Sequence, residues 1–174
     1  MDSTTTLRIL TPVEARAAAP ALAELLLDCV AGGASIGFMA DVTRAQAQRF
    51  WRGAAAAAQD DGRALIVAEQ DGDIVGVVQL IPTRIDNQPH RAEVAKMLVH
   101  RRARRSGVGA ALMRAAEDAA RAMGRSLLVL DTVEGGAGER LYRRLGWTAV
   151  GVIPGYALFP DGAPTGTVVF YKAL

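Results

Sequence analysis

The residues best suited to chemistry stand between positions 91 and 147. Arg104, Arg105, Ser106, Gly107, Val108, Gly109 and Ala110 join an apolar run ending near Val99 to a long alanine-rich stretch. Glycines and small residues where a helix begins let the backbone come close to a ligand. The unpaired N–H groups of the first turn, together with the helix dipole, attract phosphate oxygens, and arginines nearby add charge-assisted hydrogen bonds. Taken alone, this spacing also allows a plain helix start behind a solvated basic loop. A dinucleotide-binding turn needs a further glycine and a later acidic residue, and a nucleoside triphosphatase loop needs its lysine; neither pattern is complete here. The net charge is only +2, yet Arg101, Arg102, Arg104 and Arg105 fall within five positions, which asks for an anionic partner. No aromatic residue interleaves with them, so the stacking platform of a single-strand nucleic-acid binder is missing. A compact phosphorylated cofactor is expected, and nucleic acid is not.

The elements that must carry this loop can be read from periodicity. Thr11, Pro12 and Glu14 form a capping box, and Leu22, Leu25, Leu26 and Cys29 recur at helical spacing until Gly32 and Gly33, with Pro20 as a point of restart. Thr43 and Gln46 open a second helix, with Ala47, Phe50, Trp51, Ala54 and Ala58 on its buried face, ending before Gly62. Residues 64–69 and 74–80 form a hairpin around an Asp-Gly turn, and residues 92–100 form a third strand. Gly107 opens a helix whose buried side carries Val108, Leu112, Ala115, Ala119 and Met123, closed by Gly124. A strand over 127–130, a short helix over 138–145 and strands over 148–153 and 167–172 complete the chain. The expected order is two helices, three strands, helix, strand, helix and two strands, with a right-handed parallel crossover across residues 92–130.

Of 174 residues, 51% are hydrophobic, which predicts one domain spanning 1–174. The polar start over residues 1–11 lacks the features of a secretory signal, no apolar run reaches membrane-spanning length, and one cysteine with two histidines is a poor metal set. A cytoplasmic protein without metal or membrane partner is expected.

The succession strand, Arg-x-x-Gly-x-Gly, long helix, strand and short helix bearing Leu141, Tyr142, Arg143, Arg144, Leu145 and Gly146 resembles the GNAT acetyltransferases, as does the element order over nearly the whole chain. The resemblance implies an α/β (α+β) fold, with a mixed, mostly antiparallel central sheet, one parallel β-α-β crossover and helices on both faces. It also implies that residues 104–110 wrap the pyrophosphate of acetyl-coenzyme A, while the pantetheine arm runs between the splayed strands that hold Met97, Leu98 and Val99 and residues 127–131. Arg101, Arg105 and Gly135 stand where many members have proline, glycine and an asparagine that helps hold that arm. Residues 32–41, 91–94, 130–132 and 154–156 are similar to the branch that includes the tabtoxin resistance acetyltransferase.

Acetyl transfer to an amine needs a deprotonated amine, a polarised thioester carbonyl and a proton for the departing thiolate. Glu93 begins an otherwise mostly apolar strand and Asp131 ends another, so two carboxylates can face one cleft and bind or deprotonate an amine. The residues equally allow Glu93 as an edge-strand surface charge and Asp131 as a turn cap. The resemblance gives Tyr142 the role of general acid near the cofactor sulfur, in place of a core tyrosine, and a backbone N–H near Val99 the oxyanion contact, with direct transfer in a ternary complex. Cys29 reads as core. His90 and His100 form no dyad, though His100 stands where it could touch a phosphate. Phe38 and Tyr156, read as loop residues, and Asp41 are candidates for the acceptor pocket. A small-molecule amine such as a toxin, antibiotic or amino acid derivative is the expected acceptor; protein amines, a non-catalytic acyl-coenzyme A sensor and a nucleic-acid-binding module are the alternatives. Homodimers are common in families of this kind, and no long exposed apolar stripe decides the matter.

Overall fold

The computed structural model describes residues 4–174, so the first three residues of the polar start lie outside the described residues. The order is β1 (Thr6–Leu10), α1 (Pro12–Ala31), α2 (Arg44–Asp61), β2 (Ala64–Gln70), β3 (Asp73–Pro82), β4 (Arg91–Val99), a 3-10 turn (Arg101–Ala103), α3 (Val108–Ala122), β5 (Leu127–Val133), α4 (Ala137–Arg144), β6 (Thr148–Leu158) and β7 (Pro164–Ala173). Among the described residues the strands form one sheet in the order β1-β2-β3-β4-β5-β7-β6. Every neighbouring pair is antiparallel except β4 and β5. This is the expected mixed sheet, with α1 and α2 packed on one face and α3 and α4 on the other. No described helix is long and apolar enough to cross a membrane.

The strand β1 was not expected. It is an edge strand whose only buried side chain is Leu10, so its sequence carries no two-residue alternation to betray it. It pairs with β2, and Arg8 bridges Glu69 and Glu14. Pro20 does not restart α1, which runs unbroken through it. Both helices start as their sequences predict. Thr11 accepts from the Glu14 N–H at 3.3 Å while the Thr11 N–H donates to the Glu14 carboxylate at 2.8 Å, and Thr43 with Gln46 repeats the arrangement. Trp51 is fully buried between α2 and the sheet; truncating it to alanine would cost about 3–5 kcal/mol. The buried side of α3 comprises Val108, Leu112, Met113, Ala116, Ala119 and Ala120, whereas Ala115 is only partly buried and Met123 is exposed. The expected stripe therefore drifts off the sheet at its ends.

Two irregularities shape the centre of the sheet. First, β4 and β5 pair only through Arg91–Leu127, Ala92–Leu128 and Glu93–Val129, after which the strands part. Second, β4 carries a bulge: Gln79 pairs with Ala95 and Val77 with Leu98, so Lys96 and Met97 face one residue of β3. Lys96 sits at φ +50, a left-handed conformation that costs a non-glycine residue about 1–2 kcal/mol.

A buried charged cluster sets the position of α4. The Lys172 ammonium donates to both oxygens of Glu117 at 2.8 Å and to the Leu145 carbonyl at 2.8 Å, and Trp147 Nε1 donates to Glu117 at 3.1 Å. These contacts join α3 and β7 to the end of α4, the helix that carries Tyr142.

Candidate active site

Where β4 and β5 part, they open a cleft of about 720 Å³ lined by 97–99, Arg104, Arg105, Gly107, Gly109, Ala110, Thr132, Val133, 136–138, Leu141, Tyr142 and Arg144. One wall is the start of α3. Gly107 takes φ +87 as its N-cap with no side chain capping the helix, and the first intrahelical bond beyond it runs from Ala111 N–H to the Gly107 carbonyl. The N–H groups of Val108, Gly109 and Ala110 are thus left for a ligand. A Cβ on Gly109 would stand 3.2 Å from Leu141 and 3.8 Å from Met97, so a side chain there would close the gap between α3 and α4. The Val108 side chain belongs to the core, and only its backbone can serve the cleft. Ser106 does not line the cleft; its hydroxyl donates to the Ala103 carbonyl at 2.8 Å.

The arginine cluster divides in two. Arg101 is paired with Asp28 at 2.8 Å and Arg102 with Asp73 at 2.7 Å, so these two serve the protein's own carboxylates. Arg104 and Arg105 line the cleft. Arg104 Nε donates to the Val99 carbonyl at 3.2 Å, and Arg105, at φ +63, makes no hydrogen bond or ion pair among the described residues. His100 accepts from the Arg102 N–H at 3.2 Å, which occupies it as a cap. Burial alone would raise the Asp28 carboxyl, but the backbone N–H and guanidinium of Arg101 outweigh it and hold it below the usual range. Cys29 is buried and donates to the Val99 carbonyl at 3.6 Å; burial pushes its thiol up, the opposite of an activated nucleophile.

Tyr142 is 6% exposed, its ring packed edge-on to Phe170 at 5.9 Å and tilted against Trp147 at 6.1 Å. Its hydroxyl makes no hydrogen bond among the described residues yet is not sealed from solvent, and the residue lines the cleft. Burial, and secondarily the charge of Asp131, hold the phenol far above its ordinary range. It therefore keeps its proton throughout neutral pH.

Glu93 and Asp131 share one face of the sheet. Glu93 lies opposite Val129, and Asp131 is two residues further along β5. Strand spacing and rise put their Cα atoms about 8 Å apart. Glu93 is exposed and has no hydrogen-bond or ion-pair partner among the described residues. The Asp131 carboxylate stands 3.0 Å from the Thr167 hydroxyl, which also lies 2.9 Å from the Thr132 carbonyl, so one proton is shared between two acceptors. Neither carboxylate lines the cleft itself; they stand where its floor closes, at the point of divergence.

Other predicted positions lie further out. Phe38 packs edge-on to Phe50 at 5.4 Å, Asp41 is exposed in the turn before α2, and Tyr156 is exposed within β6. Tyr156 was expected in a loop; it belongs instead to a wide irregularity between Ile153 and Ala157 in that strand. None of the three lines the cleft. The loop over 32–41 contributes Gly32, Gly33, Ala34, Ser35 and Ile36, and is fastened to the β6–β7 tip by Ser35 Oγ donating to the Leu158 carbonyl at 2.7 Å and Ala40 N–H to the Pro160 carbonyl at 3.1 Å. Sequence reasoning missed Phe159, Thr167 and Arg144. For Arg144 a signal existed, since it follows Tyr142 by two residues in the same motif. Gly135 turns away from the cleft, its N–H donating to Glu139 at 2.6 Å. Among the described residues no group of three or more His, Cys, Asp or Glu side chains could hold a metal ion.

Comparison with known proteins agrees with this geometry. A family model described as the acetyltransferase (GNAT) family matches residues 21–147. An N-acetyltransferase of Azospirillum brasilense from the hisH-hisA intergenic region, described as uncharacterized, is 34% identical over 109 residues. That match covers 62% of this chain and 63% of the relative's length. The ribosomal-protein-alanine N-acetyltransferase of Brucella melitensis superposes with a TM-score of 0.79 at 23% identity, covering 97% of this chain and 99% of that one. The putative acetyltransferase yncA of Salmonella typhimurium, solved with acetyl-CoA, gives 0.78 at 22%, covering 98% and 94%. With its family model spanning the glycine loop before α3, the parted strands and the Tyr142 helix, this chain belongs to the GNAT acetyltransferase family.

Proposed function

We propose that this chain is an N-acetyltransferase that passes the acetyl group of acetyl-CoA directly to the amine of a small molecule, the 174 residues acting as one catalytic domain in the cytoplasm. The observation that carries the reading is the cleft itself, with an uncapped helix N-terminus and two cleft-lining arginines at one end, parted strands along its length and a solvent-reached tyrosine hydroxyl inside. These residues fit acetyl-CoA. The N–H groups of residues 108–110 with Arg104, Arg105 and Arg144 suit its phosphates. The apolar walls from Met97, Val99 and Leu141 suit its pantetheine arm, whose polar groups can pair with strand backbone that the divergence leaves free.

When bound, acetyl-CoA supplies a thioester whose C–S bond is exchanged for the C–N bond of the product. The chain's own residues do the rest. Glu93 and Asp131 hold the acceptor ammonium and take its proton, directly or through water. The bulge in β4 leaves backbone polar groups outside the ladder, and an N–H near Val99 polarises the carbonyl. Tyr142, kept protonated by its burial, gives its hydroxyl proton to the departing sulfur and is reprotonated from solvent through the cleft. Similarities over residues 32–41, 91–94, 130–132 and 154–156 favour the branch that includes the tabtoxin resistance acetyltransferase.

The test is thiol release from acetyl-CoA with a panel of small amines, comparing wild type with Tyr142→Phe. Acceptor-dependent release that falls about 100-fold or more in the variant supports the reading. Tight acetyl-CoA binding with no acceptor-dependent release would favour a sensor instead.

A further inference from the structure

The bulge of β4 holds a lysine where the backbone alone asks for glycine. Glycine would take the φ of +50 at Lys96 at no steric cost. In an unbroken strand, residues three apart face opposite sides, so Lys96 would point under α3, away from Glu93. The extra residue in the bulge turns it the other way. Lys96 Nζ lies 5.8 Å from the Phe50 ring centroid, on the α2 side, and 3.8 Å from where a Cβ on Gly37 would stand. Glu93 shares that side of the sheet. No carboxylate among the described residues pairs with the ammonium, and it makes no hydrogen bond. A half-buried cation over an aromatic ring is thus left with its hydrogen-bonding capacity unused.

Its neighbours tie it to the cleft. Met97, the next residue, and Ile36, the residue before Gly37, both line the cleft. At about 3.3 Å per residue, the Cα atoms of Glu93 and Lys96 are at most about 10 Å apart, a span that the two side chains reduce to the size of one small molecule. We propose that Lys96 is a specificity-determining residue: its ammonium receives a carboxylate on the acceptor, while Glu93 and Asp131 hold the amine. The acceptor is then amino acid-like, carrying both charges, and the bulge is retained because it brings the cation to the same side as the two carboxylates. This inference rests on the acetyltransferase reading above.

The experiment pairs each of a set of L-amino acids with its C-amide and its decarboxylated amine, all assayed by thiol release with wild type, Lys96→Met, Lys96→Gly and Lys96→Arg. Acetyl-CoA binding and melting temperature are measured for each protein. The expected wild-type preference for the acids is at least about 30-fold in kcat/KM, the order of a charge-assisted contact. In Lys96→Met and Lys96→Gly, KM for the acids rises by a similar factor with kcat nearly unchanged, the amides and amines are unaffected, and acetyl-CoA binding is retained. Lys96→Arg keeps most of the preference. Lys96→Gly melts no lower than wild type, separating loss of the ammonium from loss of the fold. Equal or better turnover of the amides by wild type, turnover of no compound in either set, or an equal rise in KM for acids and amides in Lys96→Met overturns the inference. Failure of wild type to bind acetyl-CoA overturns instead the reading on which it rests.

Discussion

The two ends of the cleft are built by different means. One end is a continuous stretch, residues 104–110, shaped by backbone: an uncapped helix start, Gly107 at φ +87 and Gly109 pressed to within 3.2 Å of Leu141 for any added Cβ. The other side is assembled from segments far apart in sequence, the loop over 32–41, the bulge of β4, the end of β5 and the β6–β7 tip, joined by contacts such as Ser35 to Leu158. A site made of local backbone geometry tolerates almost no change in residue type at its glycines. A site made of converging side chains can change its ligand one side chain at a time.

Substitutions can break or sharpen this contrast. The largest effect is expected for Tyr142→Phe, which removes the phenol hydroxyl of a cleft-lining residue. Its kcat should fall about 100- to 1000-fold while acetyl-CoA affinity changes less than about twofold, measured by steady-state kinetics beside calorimetry. Because burial and Asp131 raise the phenol, wild-type kcat should show no alkaline limb from this residue below pH about 10. A limb near neutrality that vanishes in Tyr142→Phe would contradict the assignment.

Gly109→Asp should weaken acetyl-CoA binding at least about 100-fold, equivalent to about 2.7 kcal/mol, by setting a carboxylate against phosphate in a gap already closed by Leu141. Circular dichroism should show the fold intact. Next comes the division within the arginines. Arg105→Ala, which removes a cleft-lining cation, should raise the Kd by about tenfold, whereas Arg102→Ala, which breaks an exposed pair with Asp73, should leave the Kd unchanged and cost at most about 1 kcal/mol of stability. Equal losses in the two variants would erase the distinction between internal and cofactor-facing arginines.

The smallest effect concerns the ion pair that joins α1 to the turn before α3. Asp28, at the end of α1, is tied to the 3-10 turn by Arg101. Its folded-state pKa lies below the ordinary value, so the pair's contribution is fully present above the unfolded pKa of about 4 and is lost as pH falls through the folded value. Asp28→Asn should therefore lower the melting temperature modestly at neutral pH, and the difference from wild type should shrink below pH about 4.

The same contrast explains what could be read in advance. Helix starts at Thr11 and Thr43, the Asp71-Gly72 turn, the glycine-led start of α3 and the helix of Tyr142 are each encoded within a few consecutive residues, and the sequence is sufficient to locate them. The edge strand β1 was invisible because only Leu10 is buried, so no alternation marks it. The allotment of Arg101 and Arg102 to Asp28 and Asp73 depends on partners 73 and 29 positions away. Tyr156 falls beyond the strand expected over 148–153, whereas pairing with β7 resumes at Ala157 after an irregularity. Thr167 carried no motif and comes to Asp131 only through the β5–β7 register.

The most direct test of the central claim is calorimetric titration of the wild-type protein with acetyl-CoA, with ATP and NAD as controls and Gly109→Asp as the loop-defective variant. Selective, stoichiometric binding of acetyl-CoA that is lost in the variant is the predicted result. No binding by wild type, or equal binding of ATP and NAD, would contradict it.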